Sequence, residues 1–193
     1  MTTSQKLLPL VGYHGCDKSL AEKVLAGRQH LETSANDYDW LGSGVYFWAD
    51  SFARAYDWAK ASSKITRAYV VGALIDPGNC LNLTDYGIGK QLQEAHGLFL
   101  EAFKETGQPL PENQSSQNGI SMARRLDCAV INYLHALREE TGEPEFDTVL
   151  GVFEEGNPLF DNSALKQKTH IQIAVRNRDA IRAYFRPKEL CAY

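Results

Sequence analysis

The stretch 39–50 (DWLGSGVYFWAD) combines two glycines with a run of four apolar or aromatic residues. Gly42 and Gly44 lack a Cβ atom, so the backbone there can turn tightly or let another molecule approach closely. The run Val45–Trp48 is typical of a short strand, because β-branched and aromatic residues fit a pleated, half-buried surface. A lone Gly-x-Gly is weak evidence for a ligand site, and the third spaced glycine of a dinucleotide-binding fingerprint is missing.

Two further segments contain side chains that can bind a ligand or take part in catalysis. His14-Gly15-Cys16 follows the first predicted strand, and a strand near the end of the chain contains His170 and Gln172. Side chains two residues apart share one face of a strand, so we expect His170 and Gln172 on the same side. The opposite, core-facing side is expected to hold the apolar residues Ile171, Ile173 and Val175. A buried histidine and a polar strand face are also common structural features, so neither segment alone establishes a site.

The order of predicted elements places these segments in a fold. We expect strands over 7–13, 45–48, 68–75, 146–153 and 169–176, with a short pairing segment at 80–83. We expect helices over 19–26, 52–59, 90–104, 121–138 and 180–185. Asp50-Ser51 is expected to cap the second helix, and Asp179 the last one. A polar loop covers 109–118. Because strands and helices do not alternate regularly, the pattern predicts an α+β fold and not a doubly wound sheet.

Length and composition predict a single domain over residues 1–193. The chain is long enough for one well-buried core, and two domains would be cramped. Its 44% hydrophobic and 23% charged residues are ordinary for a soluble globular protein. A net charge of −4 argues against a broad basic surface for duplex DNA or an anionic membrane. A local basic cleft for a nucleic-acid end or a single nucleotide stays compatible with this charge.

The cysteines predict a reducing environment and no metal site. Cys16, Cys80, Cys128 and Cys191 are scattered, without a Cys-x-x-Cys pair, which is unlike a zinc site or a disulfide-rich secreted scaffold. The first residues show neither a signal peptide pattern nor a membrane span. We therefore expect a cytoplasmic protein with reduced thiols and no membrane partner.

Taken together, three separated segments resemble the motifs of the ADP-ribosyltransferases, most closely the branch of poly(ADP-ribose) polymerases and diphtheria-like toxins. The first motif is a His-Gly on the first strand followed by Ser or Thr, and this chain has His14-Gly15-Cys16. The second is Gly-x-Gly, an aliphatic residue and Tyr-Phe-Ala-Asp, with another tyrosine further on. This chain has Gly42 to Asp50, then Tyr56. The resemblance implies a split β-sheet core, with a helical insertion at about 86–143.

The resemblance also implies that the protein uses NAD as its substrate, with no metal ion. The bond between nicotinamide and ribose breaks through a transition state that resembles an oxocarbenium ion. In the family the His-Gly glycine offers its backbone to the nicotinamide amide, and the histidine bonds the adenosine ribose. Two tyrosines, here Tyr46 and Tyr56, sandwich the nicotinamide ring in the offset stacking that aromatic rings favour. The residues carried over to the NAD site are His14, Gly15, Cys16, Gly44, Tyr46 and Tyr56.

The third family motif, a glutamate early on a later strand, is missing. In the family it holds a ribose hydroxyl and stabilises the developing positive charge. The corresponding strand 169–175 has no carboxylate, so Gln172 is the expected equivalent, with His170 beside it. A neutral amide can bond a hydroxyl, but it lacks the negative charge that best supports an oxocarbenium-like centre. Glu155, at a turn after the preceding strand, is a second possibility, and Asp50 is a third that helix capping also explains.

This departure leaves three outcomes open: transfer of a single ADP-ribose unit without chain elongation, modification of a nucleobase, or binding of NAD or ADP-ribose without turnover, as an adaptor. The leading expectation is a mono-ADP-ribosyltransferase, resembling an intracellular toxin or defence effector, with Tyr46, Gln172, His170 and Glu155 as its catalytic candidates. The helical segment is expected to shape the acceptor side or to bind an antitoxin or immunity partner. Segment 157–168 corresponds to the loop that contacts the target in the family. A purely structural α+β domain would bind no NAD.

Overall fold

A computed structural model describes residues 7–114 and 123–191. Within these ranges the strands are β1 Leu10–Asp17, β2 Val45–Ala49, β3 Ala68–Ile75, β4 Cys80–Asn82, β5 Asn113–Gln114, β6 Ala123–Arg124, β7 Thr148–Phe153, β8 His170–Val175 and β9 Ile181–Phe185. The α-helices are α1 Lys18–Leu25, α2 Phe52–Ala61, α3 Ile88–Lys104 and α4 Arg125–Thr141. Short 3-10 turns cover Arg178–Ala180 and Lys188–Cys191.

Seven of these strands form one mixed sheet in the order β4-β7-β8-β2-β1-β3-β9. Strand β4 runs parallel to β7, and the other neighbours in the sheet are antiparallel. Strands β5 and β6 form a separate two-stranded ladder. The predicted α+β class is therefore confirmed. Among the described helices, none combines the length and apolar composition that crossing a membrane requires.

The sheet is weakly joined between β1 and β2. Their ladder has only the register pairs Gly12–Ala49 and Tyr13–Trp48. By contrast, β1 pairs with β3 along its whole length, and β2 pairs with β8 from Val45 to Trp48. Beyond Tyr13 the ladder between the two strands therefore stops, and His14 is the first residue past its end.

Helices cover both faces of this sheet. Alternate residues of β2 belong to core clusters on opposite faces of the sheet, because successive side chains of a strand point to opposite faces. Val45 and Phe47 belong to a first core cluster that includes residues of α1. Tyr46 packs on the other face, against a second cluster with residues of α3 and α4. Trp48 lies beside it in a third cluster that includes residues of α2.

The predicted helical segment packs into this architecture. Helices α3 and α4 lie against each other, and Phe99, Ile131 and Leu134 share the second cluster with Leu81 and Val149 of the sheet. The helix predicted from residue 121 begins at Arg125, after the short strand β6. Within the predicted loop 109–118, residues 113–114 form strand β5. Residues 115–122 lie outside the described part of the chain.

The first strand extends further than predicted. It continues through His14-Gly15-Cys16 to Asp17, in register with β3. The Asp17 side chain accepts hydrogen bonds from the backbone N–H groups of Ser19, Thr66 and Arg67, at 2.9, 3.0 and 3.0 Å. Asp17 therefore marks the end of β1 and caps the N-terminus of α1.

The helix predicted over 180–185 is wrong, since residues 181–185 form strand β9. A six-residue helix has little stability of its own, and the edge of β3 offers backbone partners instead. Phe185 pairs with Gly72, and a Cβ atom at Gly72 would come within 2.4 Å of the Phe185 ring. The missing side chain of Gly72 thus makes room for Phe185 on the sheet.

Candidate functional site

The polar residues of β8 lie close to the end of the β1–β2 ladder. Gln172 is in register with Trp48 of β2, and Trp48 is in register with Tyr13 of β1. His170 pairs with Phe153 at the end of β7. The strand period places His170, Gln172 and Ala174 on one face, and Ala174 belongs to the second core cluster. Gln172 is half-buried, and its side chain makes no hydrogen bond within the described chain.

His170 is buried among aromatic rings. Its ring centroid lies 5.9, 6.1 and 6.4 Å from those of Phe153, Trp40 and Trp48. The Nδ1 atom is 2.6 Å from the carbonyl oxygen of Lys168. A carbonyl only accepts, so Nδ1 carries the proton and Nε2 of the neutral ring is an acceptor. Burial lowers the pKa of His170, which keeps the ring neutral.

One part of the predicted face pattern is wrong. Ile173 and Val175 are fully buried in the first cluster, as predicted, but Ile171 is 40% exposed. Its cross-strand neighbour Val152 is 50% exposed. The first core cluster thus ends at Ile173, and the start of β8 lies beyond it.

A partly buried ion pair stands beside His170. The Nη2 atom of Arg54 on α2 lies 2.6 Å from Oε2 of Glu155, which follows β7. The Arg54 guanidinium also lies over the Trp48 ring, 5.5 Å from its centroid. The charges of both Arg54 and Glu155 act on the pKa of His170, in opposite directions. This arrangement fixes a carboxylate next to the aromatic surroundings of His170.

Three buried polar atoms in this cluster have no hydrogen-bond partner within the described chain: Trp48 Nε1, Arg54 Nε and His170 Nε2. The first two are donors and the third is an acceptor. An unpaired buried polar group costs about 1–3 kcal/mol, so such groups commonly receive a bond from a water molecule or a ligand. The cluster of Trp48, Arg54, Glu155, His170 and Gln172 is called the β8 cluster below.

His14 lies past the end of the β1–β2 ladder. Its Nδ1 atom is 2.8 Å from the carbonyl oxygen of Tyr46, so the side chain bridges the two strands where their backbones no longer pair. Its ring meets Phe47 edge-on at 5.8 Å. Burial lowers the pKa of His14, although its bond to Tyr46 opposes this effect. The ring is therefore neutral near pH 7.

Gly15 and Cys16 are both closely packed. A Cβ atom at Gly15 would lie 2.3 Å from the carbonyl oxygen of Ala55, so the glycine allows α2 to contact β1 directly. Cys16 points to the other face, where it is buried in the first cluster. Burial raises the pKa of the Cys16 thiol to about 12. Cys16 is therefore a core thiol in this structure.

The two tyrosines predicted to sandwich nicotinamide pack in different places. Tyr46 lies against the second cluster, and its hydroxyl donates to the carbonyl of Gly42 at 2.6 Å and accepts from the N–H of Leu41 at 2.8 Å. Burial raises its pKa. Tyr56 lies against the third cluster, with its ring stacked on Phe52 at 5.8 Å. The Tyr46 hydroxyl therefore has a structural role in closing the glycine turn.

Packing also accounts for the remaining motif residues. The backbone of Gly44 exchanges two hydrogen bonds with Ser34, at 2.8 and 3.0 Å, and a Cβ atom there would be 3.0 Å from that of Ala174. Ser51 is the N-cap of α2, and its hydroxyl accepts from the N–H of Arg54 at 3.4 Å. Asp50 is exposed with a φ of 54°, so the predicted cap belongs to Ser51 alone.

Part of the β8 cluster could not be predicted from the sequence. His170, Gln172 and Glu155 were candidate residues, but neither Arg54 nor the aromatic surroundings of His170 were predicted. Arg54 and Glu155 are 101 positions apart, and no spacing rule connects residues at that separation. A basic residue in the first turn of a helix, where the dipole disfavours positive charge, was the available signal.

Comparisons with known proteins add little to this description. No family model matches the chain, and no solved structure matches it. An uncharacterized protein of Methanocaldococcus jannaschii is 41% identical over 46 residues, which cover 24% of this chain and 21% of that protein. The chain therefore aligns with about a fifth of the length of this relative.

Proposed function

We propose that the protein is an NAD-dependent mono-ADP-ribosyltransferase, with a variant of the family's split-sheet fold. The observation that carries this proposal is the convergence of its separated motifs. His14-Gly15 on β1, Gly44–Tyr46 at the start of β2 and Gln172 on β8 lie on three adjacent strands of one sheet. His14 directly follows the last residue pair between β1 and β2, and Gln172 is in register with Trp48 of that pair. A substrate that contacts all three strands would bind in this region.

The fit to NAD differs from the family arrangement. The tyrosine sandwich has little support, because the Tyr46 ring packs in the second cluster and its hydroxyl is occupied. The β8 cluster offers other polar contacts, since Trp48 Nε1 and Arg54 Nε can donate to a ligand and His170 Nε2 can accept from one. We propose that these atoms, with the free amide of Gln172, hold polar groups of NAD.

Two residues share the role of the missing glutamate in this proposal. The Gln172 amide bonds a ribose hydroxyl, and Glu155 supplies negative charge near the reacting ribose. A fixed carboxylate stabilises developing positive charge most effectively when surrounding water is excluded. Glu155 meets that condition in part, since its side chain is only 15% exposed.

The same geometry favours a second function, which is binding of NAD or ADP-ribose without turnover. Arg54 lies 2.6 Å from Glu155 and neutralises much of the negative charge that transfer requires. A protein with this arrangement would act as an adaptor. We therefore treat turnover and binding as separate outcomes of the test.

The acceptor in this proposal is a protein or a nucleic acid, and the protein acts as a toxin or defence effector. Helices α3 and α4 are the proposed contact region for an antitoxin or immunity partner. A cytoplasmic location is proposed on the scattered cysteines alone.

Incubation with NAD labelled in its adenine part, in cell extract, tests the proposal. Transfer predicts a labelled macromolecule and release of free nicotinamide. Digestion of the product with nuclease or protease then identifies the acceptor class. Saturable NAD binding without label transfer or nicotinamide release would favour the adaptor. Absence of binding, measured by calorimetry on folded protein, would contradict both functions.

A further inference from the structure

A polar cavity lies at the other end of strand β8 from the β8 cluster. Its volume is about 520 Å³, and its polar lining consists of Thr33, Ser43, Glu145, Asp147, Arg176 and Asn177. His170 begins β8, and Arg176 directly follows its last residue. At about 3.3 Å per residue the two are roughly 20 Å apart, so this cavity is separate from the β8 cluster.

The Arg176 side chain lines this cavity, and no carboxylate of the described residues forms an ion pair with it. Its Nη1 group donates to the hydroxyl of Ser43 at 3.2 Å. Its Nε atom is buried and has no partner, and none of the ion pairs within the described residues includes Arg176. Burial lowers the pKa of Arg176, and the charges of Glu145 and Glu139 oppose this effect. The pKa of an arginine starts so high that Arg176 keeps its charge. A half-buried cation with an unpaired Nε–H favours an anionic ligand.

The buried His135 on α4 lies within range of the Arg176 charge. It is 6% exposed, and its Nε2 atom has no partner within the described chain. Burial and the charges of Arg176 and Arg138 lower the pKa of His135 to about 3. Arg138 is paired with Glu143 at 2.7 Å. Arg176 forms no such ion pair within the described residues, and only the more distant charges of Glu145 and Glu139 act on it.

The carboxylates of the lining differ in their availability. Asp147 is already used, because its Oδ2 accepts from the N–H of Asn79 at 2.8 Å and its Oδ1 from the amide of Asn177 at 2.7 Å. Glu145 is exposed, and its side chain has no bond to a described residue. The cavity thus presents a cation, Arg176, and an anion, Glu145, which interact through their charges but form no ion pair. The negative charge of Glu145 disfavours a dianionic phosphate.

We propose that this cavity binds a free α-amino acid. The carboxylate of the ligand pairs with the Arg176 guanidinium and the Ser43 hydroxyl, and its ammonium group pairs with Glu145. Arginine binds carboxylates through charge-assisted, often bidentate hydrogen bonds, which the free Nε–H of Arg176 permits. A volume of about 520 Å³ is within the range of small-molecule sites. This inference does not depend on the proposed transferase function.

The Arg176 Nε–H resonance of ¹⁵N-labelled protein provides a direct test. We expect a saturable shift on titration with at least one of the common L-amino acids. The N-acetyl derivative of that amino acid lacks the ammonium group and mimics a peptide C-terminus, and its methyl ester lacks the carboxylate. Both should bind roughly tenfold more weakly or worse. No shift with any amino acid, equal binding of the N-acetyl derivative, or tighter binding of inorganic phosphate would each overturn the proposal.

Two variants test the proposed carboxylate and ammonium contacts of the ligand separately. Arg176→Gln should weaken amino acid binding by roughly tenfold or more, measured by calorimetry. Glu145→Gln changes an exposed residue, so its fold is secure even where that of Arg176→Gln is not. It should weaken binding of the free amino acid but leave the N-acetyl derivative unaffected. Glu140→Gln, exposed on α4 and outside the cavity lining, is the matched control. Unchanged affinity in Glu145→Gln would overturn the proposed ammonium contact.

Discussion

Arg54 on α2 and Glu155 beyond β7 meet at 2.6 Å, although 101 positions separate them in the chain. Both side chains are largely buried, with exposed fractions of 13% and 15%. Arg54 also lies 3.6 Å from Asp57, and Asp57 lies 3.1 Å from Lys168. Because Glu155 and Lys168 are joined by a backbone hydrogen bond of 2.9 Å, helix α2 is tied to both sides of the segment that leads into β8.

Removal of one partner of this pair should destabilise the fold. Glu155→Ala leaves the Arg54 charge largely buried without its counter-ion, so we expect a loss of about 3 kcal/mol in the free energy of unfolding. Urea unfolding of Arg54→Ala and of the double variant completes a double-mutant cycle. The stability losses of the two single variants should together exceed the loss in the double variant.

Glu22→Ala is the control for this cycle. It breaks the Lys18–Glu22 pair, which is exposed at 37% and 64%, so its effect should stay within about 1 kcal/mol. Additive losses in the Arg54–Glu155 cycle would mean that the two residues stabilise the protein independently.

The charge of Glu155 can be tested in the labelling reaction. Glu155→Gln keeps the size of the side chain and removes its charge. Because one electrostatic contact to the transition state is then lost, transfer of label from NAD should fall by roughly 100-fold. Glu154→Gln makes the same change at the neighbouring exposed position and should leave the rate unchanged. Equal rates in both variants, with NAD still bound, would exclude a catalytic role for Glu155.

The sequence predicted best those elements whose signals are local. Ala68–Ile75 forms a strand with the predicted bounds, and Ser51 caps α2 as part of the predicted Asp50-Ser51 pair. The apolar run and the cap residue act within a few positions of themselves. Strand β9 could not be predicted in this way, because it depends on the free edge of β3. Tertiary pairing there outweighed the helix signal.

In the candidate site, too, the features set by local sequence were predictable and those set by tertiary contacts were not. The strand period places His170 and Gln172 on one face, and that much follows from their spacing. The burial of His170 does not, since Trp40 and Phe153 reach it from distant parts of the chain. The motif residue Tyr46 has a structural contact that its spacing did not predict. Its spacing favours a ligand role, and its hydroxyl also closes a turn four residues earlier.

Tyr46→Phe should therefore lower stability. The change leaves the N–H of Leu41 and the carbonyl of Gly42 without the hydroxyl that both now bond. We expect a loss of about 1–3 kcal/mol in urea unfolding. Tyr86→Phe, at a side chain that is 96% exposed, should change the free energy by less than about 0.5 kcal/mol. A stability loss with unchanged labelling would place the role of the hydroxyl in the turn and not in catalysis.

A substitution at Gly42 tests how the turn packs on α4. Gly42 has a φ of 72°, and a Cβ atom there would lie 2.7 Å from Oδ1 of Asn132. We expect Gly42→Ala to cost at least about 1–2 kcal/mol, from strain and displacement of Asn132. Gly97→Ala lies in α3 with open space around its Cβ position, so it should stabilise the protein by up to about 1 kcal/mol. Equal effects of the two changes on the melting temperature would contradict this explanation.

His135 makes stability depend on pH. Burial and two arginines hold its folded-state pKa at about 3, whereas an unfolded histidine has a pKa of about 6.5. Between these values the unfolded chain binds a proton that the folded protein does not. Stability therefore falls as pH falls through this window, by at most about 1.4 kcal/mol per pH unit from this residue. His135→Leu should flatten that slope in urea unfolding series, and exposed His30→Gln should not. An unchanged slope in His135→Leu would assign the pH dependence to His14 and His170, whose pKa values burial also lowers.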